Sequence, residues 1–405
     1  MKKITFIHAA DLHLDSPMAG LNNLPGHILA RLRESTFISL RNIVDTAIRN
    51  EVDFIIFAGD LYDGEDRSLK AQSRFRAEMD RLSANGIQVY AVHGNHDHLG
   101  GSWVKMQMPE NVHIFDSQTE TVRCETKSGA VVNLYGFSYP TRHVAERKIH
   151  TYEKAHGGDY HIGILHGSDG SSAEHGNYCP FTVGELIEKQ FDYWALGHIH
   201  KRAVLAEYPP VVYPGNIQGR NRKETGEKGC YLVTLDRAEA DLEFIETNDV
   251  VWHDTVISVR GIAEFDGIYR LLLKEKEEAR RKGNGVLLSI TLKNVNLEGR
   301  EDLDSLHGNL LELLQDGEEE ESSFVWTTKV AIEEENFWKR EDLAGEADFY
   351  QELFQVADGF GSTAEVLEPL YGRLPGRKYV NSIGSEEERH LLEEAERLLI
   401  SMLRD

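Results

Sequence analysis

One device recurs along this chain: an apolar run ends, and an Asp, Asn or His follows at once, often behind a glycine. Ile4 to Ala9 leads into Asp11-Leu12-His13, and Val52 to Ala58 into Gly59-Asp60-Leu61-Tyr62-Asp63. Ile87 to Val92 leads into Gly94-Asn95-His96-Asp97, His161 to Leu165 into His166-Gly167, and Phe191 to Leu196 into Gly197-His198-Ile199-His200. Runs of about four to eight residues, rich in β-branched and aromatic side chains and bounded by Gly or Asp, read as buried strands. Val131 to Phe137 is a further such run. Helical stretches separate several of them. Ala30 to Asn50 repeats Leu32, Phe37, Leu40, Val44 and Ile48, and Lys70 to Asn85 stops before Gly86. Alternating strand and helix predicts an α/β layered fold with its polar residues collected at strand ends.

Beyond residue 250 the pattern changes. Val256 to Val259 reads as a short strand, Ala263 to Lys282 as a charged helix, and Val286 to Leu292 as a strand after the Gly283-Asn284-Gly285 turn. Leu303 to Leu314 (helix) and Ser323 to Ile332 (strand) complete a small β-α-β-α-β domain. The tail is helical: Leu343, Ala347, Tyr350 and Phe354 recur at steps of three and four. Ser385 with Glu388 forms a capping box before a stripe of Leu391, Ala395, Leu398 and Met402. These helices either pack on the second domain or dock a partner. The expected division is 1–250, 251–338 and 339–405.

With 405 residues the chain exceeds one ordinary core, in keeping with two or three domains. Three scattered cysteines, Cys124, Cys179 and Cys230, make no disulfide framework and fit a reducing compartment. No apolar run approaches the roughly 18 residues of a membrane span. The apolar start after Met1-Lys2-Lys3 is broken by Asp11 and His13, so the expected location is the cytoplasm, away from any membrane. The formal net charge of -24 argues against a protein that coats DNA through a basic surface, but not against a nuclease whose cations are local metals. Part of that acidity is the run Asp316 to Glu321, read as a solvated loop.

Each polar motif alone is common; all five in this order, each behind a strand, point to one site. They supply hard oxygen and borderline nitrogen ligands in the number two adjacent cations need. A two-metal site polarises a phosphoryl group and lowers the pKa of a water beside it. Alternation along an extended chain would turn Asp11 and His13 to one side, and likewise His198 and His200. Asp60 can bridge two cations with its two oxygens, and Asn95 offers an amide oxygen. Asp63 ligates, orients a ligand or caps the next helix. His96 reads as an acid beside the metals, with Asp97 placed to hold its imidazole. Arg220, Arg222 and Lys223 either contact phosphates or form a solvated loop. His8, His93, His98 and His175, near the motifs, read as structural or as supports behind the ligands.

Over about residues 3 to 235, these D-x-H, G-D-x-x-D, G-N-H-D, H and G-H-x-H motifs resemble those of the calcineurin-like metallophosphoesterase superfamily. Within it the chain resembles the SbcD-type DNA repair nucleases. Ala10-Asp11-Leu12-His13-Leu14-Asp15-Ser16-Pro17 is similar to the opening of a bacterial member. Tyr213-Pro214-Gly215-Asn216, followed by Glu224 to Gly229, is similar to the glycine turn and hairpin after the last histidines. The resemblance implies a layered β-sandwich flanked by helices, with a small α/β cap domain and C-terminal helices. It implies one cation on Asp11, His13, Asp60 and His200, another on Asp60, Asn95, His166 and His198, and His96 as the catalytic acid. A donor set of oxygen and imidazole without thiolate favours manganese, with iron or zinc as alternatives. The resemblance also implies a homodimer and tail helices that bind an SMC-like ABC ATPase. That ATPase would be a separate subunit, because this chain has no Gly-rich phosphate loop ending in Lys-Ser or Lys-Thr. The expected function is a dinuclear metal-dependent phosphodiesterase, a DNA exonuclease or endonuclease in DNA repair. Its rivals are a phosphoesterase for a small phosphoester or cyclic nucleotide, and a scaffold that tethers the ATPase to DNA with slow cleavage.

Overall fold

Two six-stranded sheets lie face to face in the computed structural model, which describes residues 2–404 apart from 19–23, 65–66, 171–177, 237–238, 263, 281–282, 296–302, 319–320, 322, 334–339, 347, 361–365 and 367–384. His175 and Ala347 therefore lie outside the described residues. In the first sheet β1 (Ile4–Ala9), β2 (Phe54–Ala58), β3 (Gln88–Val92) and β4 (Val112–Ile114) run parallel. The second sheet begins with β5 (Glu120–Glu125), antiparallel to β6 (Val131–Gly136). Next to β6 come β7 (Tyr160–His166) and β8 (Tyr193–Gly197), all three parallel. The far edge holds β9 (Ala203–Glu207) and β10 (Pro210–Tyr213), with β10 parallel to β8. The chain then returns to the first sheet through β11 (Gly229–Leu235), antiparallel to β1, and β12 (Ala240–Glu246).

Continuous apolar runs form these strands because the central ones are buried on both faces. Between the sheets, Phe6 stacks on Phe54 at 5.0 Å, and Ile56, Val92, Leu134 and Ile162 pack around them. The outer face of the first sheet (Ile7, Ile55, Phe57) is covered by α1 (Gly26–Arg49) and α2 (Leu69–Ala84) through Phe37, Leu40, Phe75 and Met79. Ser68 caps α2, its side chain accepting from Ala71 N–H, so Asp63 is not the cap. On the outer face of the second sheet, Trp194 packs beneath α3 (Val183–Glu188) and donates its indole N–H to Leu186 O at 3.0 Å. The result is a helix–sheet–sheet–helix sandwich in which β1, β2, β3, β7 and β8 bring their C-terminal ends to one place.

A third sheet follows, in the order β13 (Val250–Ser258), β14 (Gly285–Lys293) and β15 (Val325–Glu333), with α4 (Phe265–Arg280) and α5 (Leu303–Gln315). β13 begins at Val250 rather than Val256, because Val250 and Trp252 are buried with Leu287, Phe324 and Trp326 against Ile28 and Leu32 of α1. Arg31 of α1 fastens this contact with two hydrogen bonds to Asp249, at 2.8 and 3.0 Å. The acidic run after α5 is not wholly solvated as expected. Glu318 is buried, pairs with Lys276 at 2.7 Å and with Arg280, and accepts from Val325 N–H at 2.7 Å. The acid sits between two cations on one side of α4, of which Lys276 is buried with it.

The chain divides into two compact units, Met1–Leu292 with Asn296–Ile332, and Lys293–Val295 with Glu333–Asp405. The second contains α6 (Arg340–Glu346), α7 (Asp348–Asp358) and α8 (Ser385–Arg404). Leu343, Phe354 and Ile400 form its core, and Arg340 bonds Glu396 and Asp358. The stripe read from the sequence, Leu391, Ala395, Leu398 and Met402, is exposed, whereas Glu396 and Ile400 face inward. No described helix is long and apolar enough to cross a membrane.

Candidate metal centre

The polar residues that end the parallel strands meet across the seam between the two large sheets. They meet by tight turning of the backbone and not by strand alternation. Asp11, His13 and Asp60 take φ of 51°, 42° and 49°, and His198 takes 102°. Left-handed backbone at non-glycine residues is strained, and it persists here because hydrogen bonds hold it. Asp11 N–H donates to Gly59 O (3.1 Å), His13 N–H to Asp60 O (2.9 Å), and His198 N–H to the Asp11 carboxylate (3.0 and 3.1 Å). Two glycines permit the close approach. A Cβ on Gly94 would lie 2.3 Å from Asp60 Oδ1 and 2.6 Å from His166 Nε2, and one on Gly197 would lie 1.8 Å from Ala58 O.

Three imidazoles have their tautomers set by the same arrangement. His13 Nδ1–H donates to Asp63 Oδ1 (3.1 Å), His200 Nδ1–H to Glu224 Oε1 (2.9 Å), and His166 Nδ1–H to Ala58 O (3.0 Å). In each ring the Nε2 lone pair is left facing inward, the usual arrangement of a metal-ligating histidine. Nε2 of His13 and Nε2 of His200 stand 3.1 Å apart, and in the tautomers these hydrogen bonds select neither neutral ring carries a proton there. His166 Nε2 lies 3.0 Å from Asn95 Oδ1 and 3.5 Å from Asp60 Oδ2, and His198 Nδ1 lies 3.1 Å from Asn95 Oδ1. Lone pairs this close repel one another unless a cation lies between them, and two ligands about 2.1 Å from one ion are themselves roughly 3 Å apart. Ligand atoms of Asp11, His13 and His200, of His13, Asp60 and His96, and of Asp11, Asp60 and His166 each fall within 4.8 Å of one another. The donor set fits divalent cations.

The electrostatics agree. Burial, then the Asp97 and Asp11 carboxylates, pushes the Asp60 carboxyl well above its usual range. Burial holds the His13 imidazole well below its usual value, against the opposing Asp63 hydrogen bond, so its lone pair is available near neutral pH. Asp11, His13, Asp60 and His166 are almost wholly buried, while His96 and His200 expose 35% and 25% of their side chains. The centre therefore opens to solvent beside these two rings.

His96 sits on that opening, its ring 4.8 Å from the His13 ring, with Nδ1 3.5 Å from Asp63 Oδ1. Asp97, expected to hold His96, does something else. Its carboxylate accepts from His93 Nδ1–H (2.8 Å), Leu61 N–H (3.0 Å) and Gly94 N–H (2.8 Å), tying the loops after β2 and β3 together. Adjacent residues in this tight loop point apart, so the anchor for His96 comes from the other motif, at Asp63. Asp63 serves as the shared orienting group among the roles left open for it, facing His13, His96 and Arg220 Nη1 (2.8 Å). Arg220 also reaches Ser16 Oγ (3.2 Å) and is thus committed to the centre's frame, neither a solvated loop residue nor a free phosphate contact. Arg222 and Lys223 are exposed.

Glu224 escaped the sequence reading as a site residue, because a lone Glu in a charged loop carries no local signal. Burial raises its carboxyl, but the His200 hydrogen bond and the Arg220 contacts override this and hold it down at about 2. The other histidines are structural. His8 Nε2–H donates to Leu196 O (3.1 Å) and its Nδ1 accepts from the Tyr193 hydroxyl (3.0 Å), His93 bridges Asp97 and Arg67, and His98 is buried.

The family model for calcineurin-like phosphoesterases matches residues 4–202. The chain is 41% identical over 406 residues to the uncharacterized metallophosphoesterase YhaO of Bacillus subtilis (strain 168), across 99% of this chain and 98% of that protein. It is 25% identical over 240 residues to the DNA double-strand break repair protein Mre11 of Thermoplasma acidophilum, across 54% of this chain and 61% of that protein. With Mre11 of Methanocaldococcus jannaschii the identity is 24% over 257 residues, across 60% and 66% of the two chains.

Proposed function

The chain belongs to the calcineurin-like phosphoesterase family and is a metal-dependent phosphoesterase, and from that premise we propose that it is a dinuclear, manganese-dependent DNA nuclease of repair. The observation that carries the dinuclear reading is the pair of facing, proton-free nitrogens of His13 and His200 beside a second convergence at Asn95, His166 and His198. Asp11, His13, Asp60 and His200 would hold one cation, and Asp60, Asn95, His166 and His198 the other. When bound, two such cations would polarise the phosphoryl oxygens and lower the pKa of an attacking water.

The chain's own residues do the rest. Buried walls of the sandwich enclose Asp11, His13, Asp60 and His166, while His96, His198 and His200 are partly exposed. Asp63, 3.5 Å from His96 Nδ1, favours a proton on the ring against the burial that holds this imidazole below its usual value, and Nε2 is the atom that would deliver the proton to the leaving oxygen of a phosphodiester. Asp97, through Leu61 and Gly94, keeps the two loops that carry Asp60 and Asn95 in register.

The DNA substrate is supported by the similarity to Mre11 proteins, named for double-strand break repair. The separate SMC-like ABC ATPase is supported by the exposed Leu398 and Met402 stripe on α8. Buried, unpaired Cys124, Cys179 and Cys230 support a cytoplasmic location. The net charge of -24 favours a second reading, a small phosphoester or cyclic nucleotide as substrate.

The test is manganese-dependent cleavage of end-labelled single- and double-stranded DNA beside a chromogenic phosphodiester. DNA cutting that falls roughly 10²- to 10⁴-fold in His96→Ala, with metal retained, is the expected result. Cleavage of the chromogenic diester without any of DNA moves the substrate to the small-phosphoester class.

A further inference from the structure

Two of the inward-facing histidines lean on carboxylates, and the two carboxylates have different origins. Asp63 belongs to the same motif as Asp60. Glu224 comes from the loop between β10 and β11, and it is held on both oxygens. Oε1 takes His200 Nδ1–H, while Oε2 takes the Asn216 side-chain amide (2.8 Å) and Arg220 N–H (2.8 Å). The His200 backbone is fixed by the same segment, its carbonyl accepting from Lys228 Nζ (3.1 Å) and Asn216 N–H (3.4 Å).

This loop is in turn clasped by the small third sheet. Gln218, fully buried, accepts from Asp249 N–H (3.0 Å) and Val250 N–H (3.2 Å) and donates to Val250 O (2.7 Å). The Trp252 indole N–H donates to Gly219 O (3.1 Å), and Gly226 N–H to Trp252 O (2.9 Å). Asp249 to Trp252 mark the start of β13. A continuous set of hydrogen bonds thus runs from the small sheet through residues 216–226 to the His200 ring. His166 is steadied from β2 instead, through Ala58 O.

We propose that Glu224 is the positioning residue of His200, and that the small sheet, by clasping the loop that carries Glu224, sets the affinity of the cation site that His200 serves. The proposal rests on the dinuclear reading above. Without Glu224 the ring can rotate or take its other tautomer, and outer partners of this kind are worth roughly 10- to 100-fold in metal affinity. The site served by His166 keeps its affinity. The small sheet is then part of the metal centre's support as well as a surface beside it.

The experiment titrates the metal-stripped full chain with manganese, by calorimetry and by electron paramagnetic resonance. The native chain should bind a spin-coupled pair. In Glu224→Ala one of the two sites should weaken by roughly 10- to 100-fold, and the coupled spectrum should give way to that of an isolated ion at intermediate manganese. Glu224→Gln, which keeps an acceptor oxygen, should lose less at the same site. Gln218→Ala should weaken that site too, with the native circular dichroism retained. A Glu224→Ala chain that takes both ions with native affinity, or weakens both equally, overturns the positioning role. Should that variant fail to fold, Glu224→Gln decides: a same-site loss supports the role and an unchanged pair overturns it. Native binding in Gln218→Ala overturns the clasp. A native chain that binds no pair refutes the dinuclear reading itself, a separate outcome.

Discussion

Two clusters of buried charge in the first unit differ in one respect that matters. In the third sheet, Glu318 has Lys276, Arg280 and the Val325 N–H as partners, and Lys276 also donates to Leu314 O at 2.6 Å. That cluster is complete as protein. At the strand ends, Asp11 and Asp60 are buried with backbone N–H donors but, among the described residues, no Lys or Arg hydrogen-bond partner, and three imidazoles turn lone pairs toward them. Arg220 reaches that cluster only through Asp63, so Asp11 and Asp60 are left for divalent cations to balance. Burial of charge therefore does not itself mark function; the direction of the lone pairs does.

The largest expected effect comes from Asp60→Ala. It should abolish binding of the cation pair in calorimetry and reduce diester hydrolysis by more than the roughly 10- to 100-fold typical of outer partners. Without metal the variant should be no less stable than the native chain, because the Asp60 charge is disfavoured where it stands. Retention of a coupled pair would erase the contrast between the clusters. Glu318→Gln should do the opposite, losing about 3–5 kcal/mol in denaturant unfolding by leaving Lys276 buried without its anion, with metal count unchanged.

These contrasts show how far the sequence could be read. The motif order named Asp11, His13, Asp60, Asn95, His96, His166, His198 and His200, which the structure brings together, because a buried strand followed by a polar residue is a local signal. The strands β1, β3, β6, β7 and β8 were legible for the same reason. Edge strands such as β5, with exposed and buried residues mixed, were not. Nor were Glu224 and Gln218, whose roles depend on partners far away in the chain. Asp97 was legible as a site residue but not in its partner, since adjacent residues of its tight loop point apart, and the alternation expected for Asp11 and His13 gives way to left-handed turns.

A smaller effect links metal to stability. Manganese at about 100 times its dissociation constant should stabilise the native chain by about 2.7 kcal/mol per site, and Glu318→Gln by the same increment. Asp60→Ala should gain nothing, and an equal gain there would place the ions elsewhere. The smallest effect concerns His8, held down to about 3 by burial despite its hydrogen bond to Leu196. Its unfolded value is near 6.5, so between these values the unfolded chain binds the extra proton. Stability present above about pH 6.5 is therefore lost as pH falls toward 3. Near pH 5 the loss should be on the order of 2 kcal/mol. His8→Asn should flatten the pH slope of the melting midpoint; an unchanged slope assigns the acid sensitivity to other groups.

The most direct test is a crystal of the native chain soaked in manganese, with anomalous difference density measured at the strand ends. Two peaks sharing the Asp60 carboxylate, one against His13 and His200 and one against Asn95, His166 and His198, are what the geometry predicts. A single peak, or none among these residues, would contradict it.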